Sequence, residues 1–152
     1  KLKMAAKIDV VDKEFFEKEV KPFINQTQIE FMGEIGLKEK NEFLKNALAL
    51  LAPLQWKEPF GLFMVEAMAC GTPVIVFDQG SAKEIVEDGK TGFVVKNLDE
   101  MVKAMKKIAN IKREVCRERV EEFFTDRRMV SQYEKVYKEI IKKWQDKNKF
   151  KI

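Results

Sequence analysis

The chain has 152 residues, 45% of them hydrophobic, a length and balance that suit one domain with a real core and exclude a disordered tail or a pair of domains. Its net charge of +4 is unevenly held: nine Lys/Arg stand against four Asp/Glu from Asp126 onward, leaving 20 against 21 before it, so the folded part lacks the basic surface of a nucleic-acid-binding core. With no histidine and only two cysteines, Cys70 and Cys116, the chain excludes within itself a Cys/His zinc cluster and a histidine-dependent nucleophilic triad.

No internal repeat, low-complexity block or Gly/Ser linker interrupts the order of elements. Leu2 to Ile8 predicts a short strand, and Asp12 caps a predicted helix carrying Phe15, Phe16 and Val20 that ends near Pro22. Gln28 to Met32 is the next strand, followed by Gly33. Lys38 to Asn46 predicts a helix with Phe43 and Leu44 inward, and Ala47 to Ala52 is an unbroken apolar run of buried-strand length. A loop from Glu58 to Gly61 leads to a helix over Leu62 to Cys70 and a strand over Val74 to Phe77. Ser81 caps a short helix through Glu87, Asp88-Gly89 turns the chain, and Gly92 to Val95 is a further strand. Three helices close the sequence, over Leu98 to Ala109, Arg113 to Phe124 and Asp126 to Lys147.

Continuous rather than alternating apolar strands, separated by helices, predict a doubly wound α/β domain with a parallel, Rossmann-like sheet and a long C-terminal helix. Ligands of such folds sit outside the carboxyl ends of the strands. The loops that count are therefore Gly33-Glu34-Ile35, Trp56 to Gly61 and Asp78 to Ser81. Apolar runs break well short of the ~18 residues of a membrane span, and the N-terminus has no secretory apolar region or cleavage site. The expected compartment is the cytoplasm, with both thiols free and structural.

Glu58 and Glu66 are separated by seven residues at the edge of the apolar stretch EPFGLFMVEAMACGTPVIVF. A helix beginning near Gly61 puts Glu66 in its second turn, roughly 7 Å along the axis, with Glu58 in the loop before it. The free amides and dipole of that N-terminus suit an anion such as a diphosphate, and carboxylates on either side suit neutral sugar hydroxyls rather than the anion itself. A nucleotide sugar offers a ribose diol on one side of its diphosphate and a hexose on the other. The alternative at this level is two carboxylates that merely favour a helix N-terminus and a solvated face.

EPFGLFMVEAMACGTPVIVFDQGSAKEIVEDGKTGFVV, residues 58–95, resembles the donor-site signature of family-four retaining glycosyltransferases, enzymes of the two-Rossmann-domain GT-B type. IEFMGEI upstream resembles the strand and loop where that family holds the nucleotide base, and FFTDRRMVSQYEKVYKEI downstream resembles its closing helix. The resemblance implies that residues 1–152 are one donor-binding domain, the C-terminal half of a GT-B architecture. It implies that Glu58 hydrogen-bonds the donor hexose and steadies positive charge at the anomeric carbon. Phe60, Gly61 and Leu62 would offer backbone amides, Glu66 would bind the ribose diol, and Gly33 and Ile35 would lie against the base.

By the same resemblance the donor is a UDP- or GDP-sugar, the transferred group mannose or glucose, the acceptor a glycan or lipid-linked sugar of polysaccharide biosynthesis, and no metal or other cofactor is needed. The family's donor domain opens with a strand and loop bearing an Arg and a Lys for the leaving diphosphate, and its N-terminal domain binds the acceptor; neither is present in the sequence, which begins at KLKMAAKI. Losing such electrostatic stabilisation costs on the order of a hundredfold or more per donor. The expectation is an inactive fragment of a larger enzyme, or one chain that works with a partner chain; the alternative is a non-catalytic nucleotide-sugar-binding or scaffold subunit. An epimerase of related architecture fits the PFG loop and glutamate spacing less well.

Met129, Tyr133, Val136, Tyr137, Ile140, Ile141 and Trp144 give the last helix an apolar face, with Lys135, Lys138, Lys142 and Lys143 mainly off it. Peripheral contact with the inner face of an anionic membrane is one reading; packing on this domain and on the other domain of the intact enzyme is favoured. Phe15, Phe16, Phe23, Phe31 and Phe43 are expected in the core. Trp56 either walls a sugar pocket or covers a strand end, and Glu84 matches a carboxylate common in the family.

Overall fold

The computed structural model describes residues 1–148, in two compact units, Lys1–Phe43 and a second from Leu44 onward.

In the first unit, β1 (Leu2–Met4) pairs in parallel with β2 (Ile29–Phe31), Leu2 opposite Ile29 and Met4 opposite Phe31. The strand expected to reach Ile8 ends at Met4, where its partner also ends. Asn25 builds the turn into β2: its Oδ1 accepts from the amides of Thr27, Gln28 and Ile29 at 3.2, 2.8 and 3.1 Å, satisfying backbone donors that no ladder reaches. Between the strands, the helix expected from Asp12 to Pro22 is a mixed run: a 3-10 turn at Val10–Asp12, α1 (Lys13–Phe15), a π turn at Phe16–Val20 and a second 3-10 turn at Lys21–Phe23. Pro22 has no N–H to give to a continuing α-helix. Phe16 packs on Phe31 with ring centroids 4.9 Å apart. Phe15 and Phe23, expected in the core, are 63% and 65% exposed; Phe15 adjoins Phe16 on a helical turn and so points about 100° away from it. The unit ends within α2 (Leu37–Lys45).

The second unit holds a parallel sheet of order β3-β4-β5, formed by Leu50–Ala52, Val74–Phe77 and Gly92–Val95. Leu50 pairs with Val74, and Phe77 with Val95. Parallel neighbours need crossovers, supplied by α3 (Leu62–Ala69) and the short α4 (Ala82–Ile85). The strand signal was sound because β4 is central: Val74, Ile75 and Val76 are at most 1% exposed, and burying each contributes about 1.5–3 kcal/mol. Ile75 meets Val95, Met101 and Ala104, while Val74 and Val76 alternate to the opposite face.

Met101 and Ala104 lie on α5 (Leu98–Met105), whose start is fixed by a reciprocal cap. The Glu100 amide donates to Asn97 Oδ1 at 3.0 Å, and Glu100 Oε2 accepts from the Lys96 amide at 2.8 Å. The helix predicted to reach Ala109 stops at Met105 and gives way to a 3-10 turn at Ile108–Asn110. Then come α6 (Arg113–Phe123), which packs on α3, and α7 (Asp126–Asn148). The apolar face read on α7 is present, but the packing on this domain expected of it is not found: Tyr133, Tyr137, Ile140 and Trp144 along it are all more than half exposed. Strands are parallel throughout, as expected of an α/β fold, and the ladder falls into two hydrogen-bonded pieces, β1-β2 and β3-β4-β5.

Candidate functional site

The chain leaving β3 folds back on itself before α3, and the fold is organised by Glu58. The Glu58 amide donates to the Trp56 carbonyl at 3.0 Å, making a tight three-residue turn. That turn brings the Trp56 indole beside the Glu58 side chain, where Nε1–H donates to Oε2 at 3.1 Å. The other carboxylate oxygen, Oε1, accepts from the Gly61 amide at 3.1 Å. Glu58 is half-buried and both its oxygens are held by its own loop. Each oxygen retains a lone pair for a further donor.

Gly61 ends the loop at φ 78 and starts α3. A side chain there would put its Cβ 2.4 Å from Met64 Cε and 3.3 Å from Glu58 Cγ, so both the backbone angle and the space require glycine. The first amides of α3 have no acceptor within the helix. Of the three amides that the resemblance assigns to a ligand, Gly61's is engaged by Glu58, whereas Phe60 and Leu62 stand at the surface, 43% and 66% exposed. Glu66 is half-buried on α3, its neighbours Val65, Ala67 and Met68 in the core. At the far end of α3, guanidinium groups cover the negative pole: Arg117 Nη1 donates to Ala69 O at 2.8 Å and Arg113 Nη2 to Cys70 O at 3.4 Å.

The loop after β4 braces the loop after β3. Ser81, read from sequence as a helix cap, makes no side-chain cap bond. Its amide donates instead to Glu58 O at 3.0 Å and its hydroxyl to Phe60 O at 2.7 Å. Gly80, at φ 52, lies so near that an added Cβ would be 2.2 Å from Glu58 O. Phe60 meets Phe124 edge-on at 6.1 Å. The Arg119 guanidinium lies 5.7 Å from the Phe124 centroid and donates to the carbonyls of Ile85 and Glu84, each at 2.8 Å. Glu84 thus contributes through its backbone, and the carboxylate singled out in the sequence makes no described bond to the Glu58 loop.

Within the second unit, then, Glu58, Phe60, Gly61 and Leu62 are contiguous with Glu66 on one loop-helix passage. Gly33 and Ile35 belong to the first unit, directly after β2. Gly33 has φ 72 and its carbonyl accepts from the Ala6 amide at 3.0 Å; Ile35 is half-buried beside the bend where the Gly36 amide donates to Glu39 Oε2 at 2.6 Å. Sequence reasoning missed the roles of Ser81 and Gly80 in bracing Glu58 and left Trp56 open. Their positions in loops that follow strands are the local signal the sequence offers.

Parallel strands joined by helices, with a helix N-terminus at the carboxyl edge of the sheet, define an α/β domain, and the solved structures it matches are glycosyltransferases of the GT-B type. Sucrose-phosphate synthase from Thermosynechococcus elongatus matches it with a TM-score of 0.78 and 25% identity, covering 92% of this chain and 38% of that one. Anabaena HepE, solved in complex with UDP and glucose, shares the fold with a TM-score of 0.66 at 18% identity, over 77% of this chain and 34% of its own. Residues 5–124 match the model of the glycosyl transferases group 1, and the chain belongs to that family. N-acetyl-alpha-D-glucosaminyl L-malate synthase of Bacillus anthracis is 36% identical over 107 residues, 65% of this chain and 28% of the synthase. The chain spans about a third or less of the length of the curated relatives it matches.

Proposed function

We propose that these residues form the donor-binding part of a retaining glycosyltransferase that moves a hexose, mannose or glucose, from a UDP- or GDP-sugar to a glycan or lipid-linked acceptor. The observation that carries this reading is the Glu58 carboxylate, fixed at both oxygens by Trp56 and Gly61 at the start of α3. A carboxylate so held accepts from sugar hydroxyls through its remaining lone pairs and stabilises positive charge as the anomeric carbon parts from the diphosphate. The N-terminal amides of α3 take the diphosphate, and Glu66 the ribose diol. No metal is given a role in this scheme.

The exposed apolar face of α7 is assigned to a further domain or partner chain that binds the acceptor; its lysines make an anionic membrane surface the second reading. Among the described residues no helix is long and apolar enough to cross a membrane, and the proposed place of action is the cytoplasm. The test is isothermal titration with UDP, GDP and their glucose and mannose derivatives. The expected result is binding of one nucleotide, strengthened by one of the two sugars. Equal indifference to all of them would refute the donor-site reading.

A further inference from the structure

Glu58 sits in a loop that has no regular secondary structure to fix its side chain, and yet both carboxylate oxygens have assigned donors. One donor, the Gly61 amide, is backbone and independent of side-chain identity. The other is the indole of Trp56, two residues earlier, which is 59% exposed. An indole that open adds little to the core, and its one described polar bond is to Oε2 of Glu58. The backbone bond from the Glu58 amide to the Trp56 carbonyl keeps the two residues on one tight turn, and the indole N–H bond is what orients their side chains on each other.

We propose that Trp56 is the positioning residue of this site: its indole N–H selects the Glu58 rotamer that presents the remaining lone pairs to the donor sugar. The proposal rests on the donor-site reading and deepens it, because it makes sugar recognition, and not nucleotide recognition, depend on Trp56. With a single donor the carboxylate rotates about its bond to Gly61. The sugar must then order it on binding, at a cost of about three- to tenfold in affinity, the range of one immobilised side chain or one net hydrogen bond.

Two readouts separate the outcomes. The chain has two tryptophans, so the Trp56 indole N–H resonance is identified by its loss in Trp56→Phe, and Trp144 on α7 serves as the internal control. Glu58→Ala is expected to move the Trp56 indole resonance and leave that of Trp144 in place. In titrations, Trp56→Phe is expected to weaken the nucleotide sugar by about three- to tenfold while leaving the nucleoside diphosphate within about twofold. An indole resonance indifferent to Glu58→Ala, or a Trp56→Phe chain that binds both ligands like wild type, overturns the proposal while the donor site stands. A wild-type chain that binds neither ligand overturns the donor-site reading itself, and with it the sugar role of this bond, whatever the indole resonance shows.

Discussion

The hydroxyl of Ser81 donates to the carbonyl oxygen of Phe60 at 2.7 Å across 21 positions of sequence. Together with the bond from the Ser81 amide to Glu58 O, it ties the loop after β4 to the loop after β3 at the two residues flanking Pro59. The candidate carboxylate is therefore held from outside as well as by its own loop.

Ser81→Ala is expected to destabilise the fold by about 1–2 kcal/mol, since Ser81 is 3% exposed and the change leaves the Phe60 carbonyl without its donor. Urea denaturation checks this: the midpoint falls while the slope stays the same. The same variant is expected to weaken donor binding, because the Phe60–Leu62 amides lose their brace.

Gly80→Ala is the more damaging change. Alanine at φ 52 is strained, and its Cβ would lie 2.2 Å from Glu58 O and 2.6 Å from Glu58 N, so the Glu58 loop has to move. The expected loss is about 2 kcal/mol or more, and donor affinity falls even at temperatures where the variant remains folded. An alanine chain with wild-type stability and binding would show that the two loops do not press on each other.

Arg113 holds four acceptors: Ala47 O at 2.8 Å, Lys45 O at 2.6 Å, Thr72 Oγ1 at 2.9 Å and Cys70 O at 3.4 Å. Thr72 is fully buried and passes its own hydrogen to Leu44 O at 2.6 Å. Arg113→Ala is expected to cost about 3 kcal/mol, and Arg113→Lys to recover little of it, because an ammonium cannot reproduce the planar fork. Thermal denaturation of the two variants side by side checks the claim.

Burial pushes the Cys116 thiol up from an ordinary 9.0 to about 11. The folded chain keeps its proton where the unfolded chain has lost it. This contribution to stability is fully present below pH 9 and is lost as the pH rises toward 11, with a slope of at most about 1.4 kcal/mol per pH unit. Cys116→Ala starts less stable because it opens a cavity, but its stability is expected to fall less steeply over that alkaline range. The half-buried Cys70 is expected to react with a thiol reagent at pH 8, with Cys116 silent until unfolding.

Much of the second unit was legible because its signals are long or doubled. The run around Val74–Val76 reads as a buried strand, and the helix starts at Leu62 and Arg113 fall where the sequence places them. The first unit was read less well. Phe15 and Phe23 look like core residues in sequence, but whether a helical run stays α-helical up to Pro22 is decided by tertiary packing that periodicity does not carry. Ser81 shows the same limit from the other side. A serine before a short helix reads as a cap, whereas its actual partner, Phe60, lies on another loop and leaves no local trace. Glu58 and Glu66 were visible through their spacing; Trp56 as a holder of Glu58 was not, because one indole hydrogen bond has no sequence pattern.

Paired titrations of Glu58→Ala and Glu66→Ala decide whether Glu58 meets the sugar and Glu66 the nucleotide of one bound donor. Glu66→Ala is expected to weaken the nucleoside diphosphate and its sugar derivative alike, and Glu58→Ala only the sugar derivative, each by about tenfold. Wild-type affinities in both variants, or equal losses for both ligands in Glu58→Ala, would contradict it.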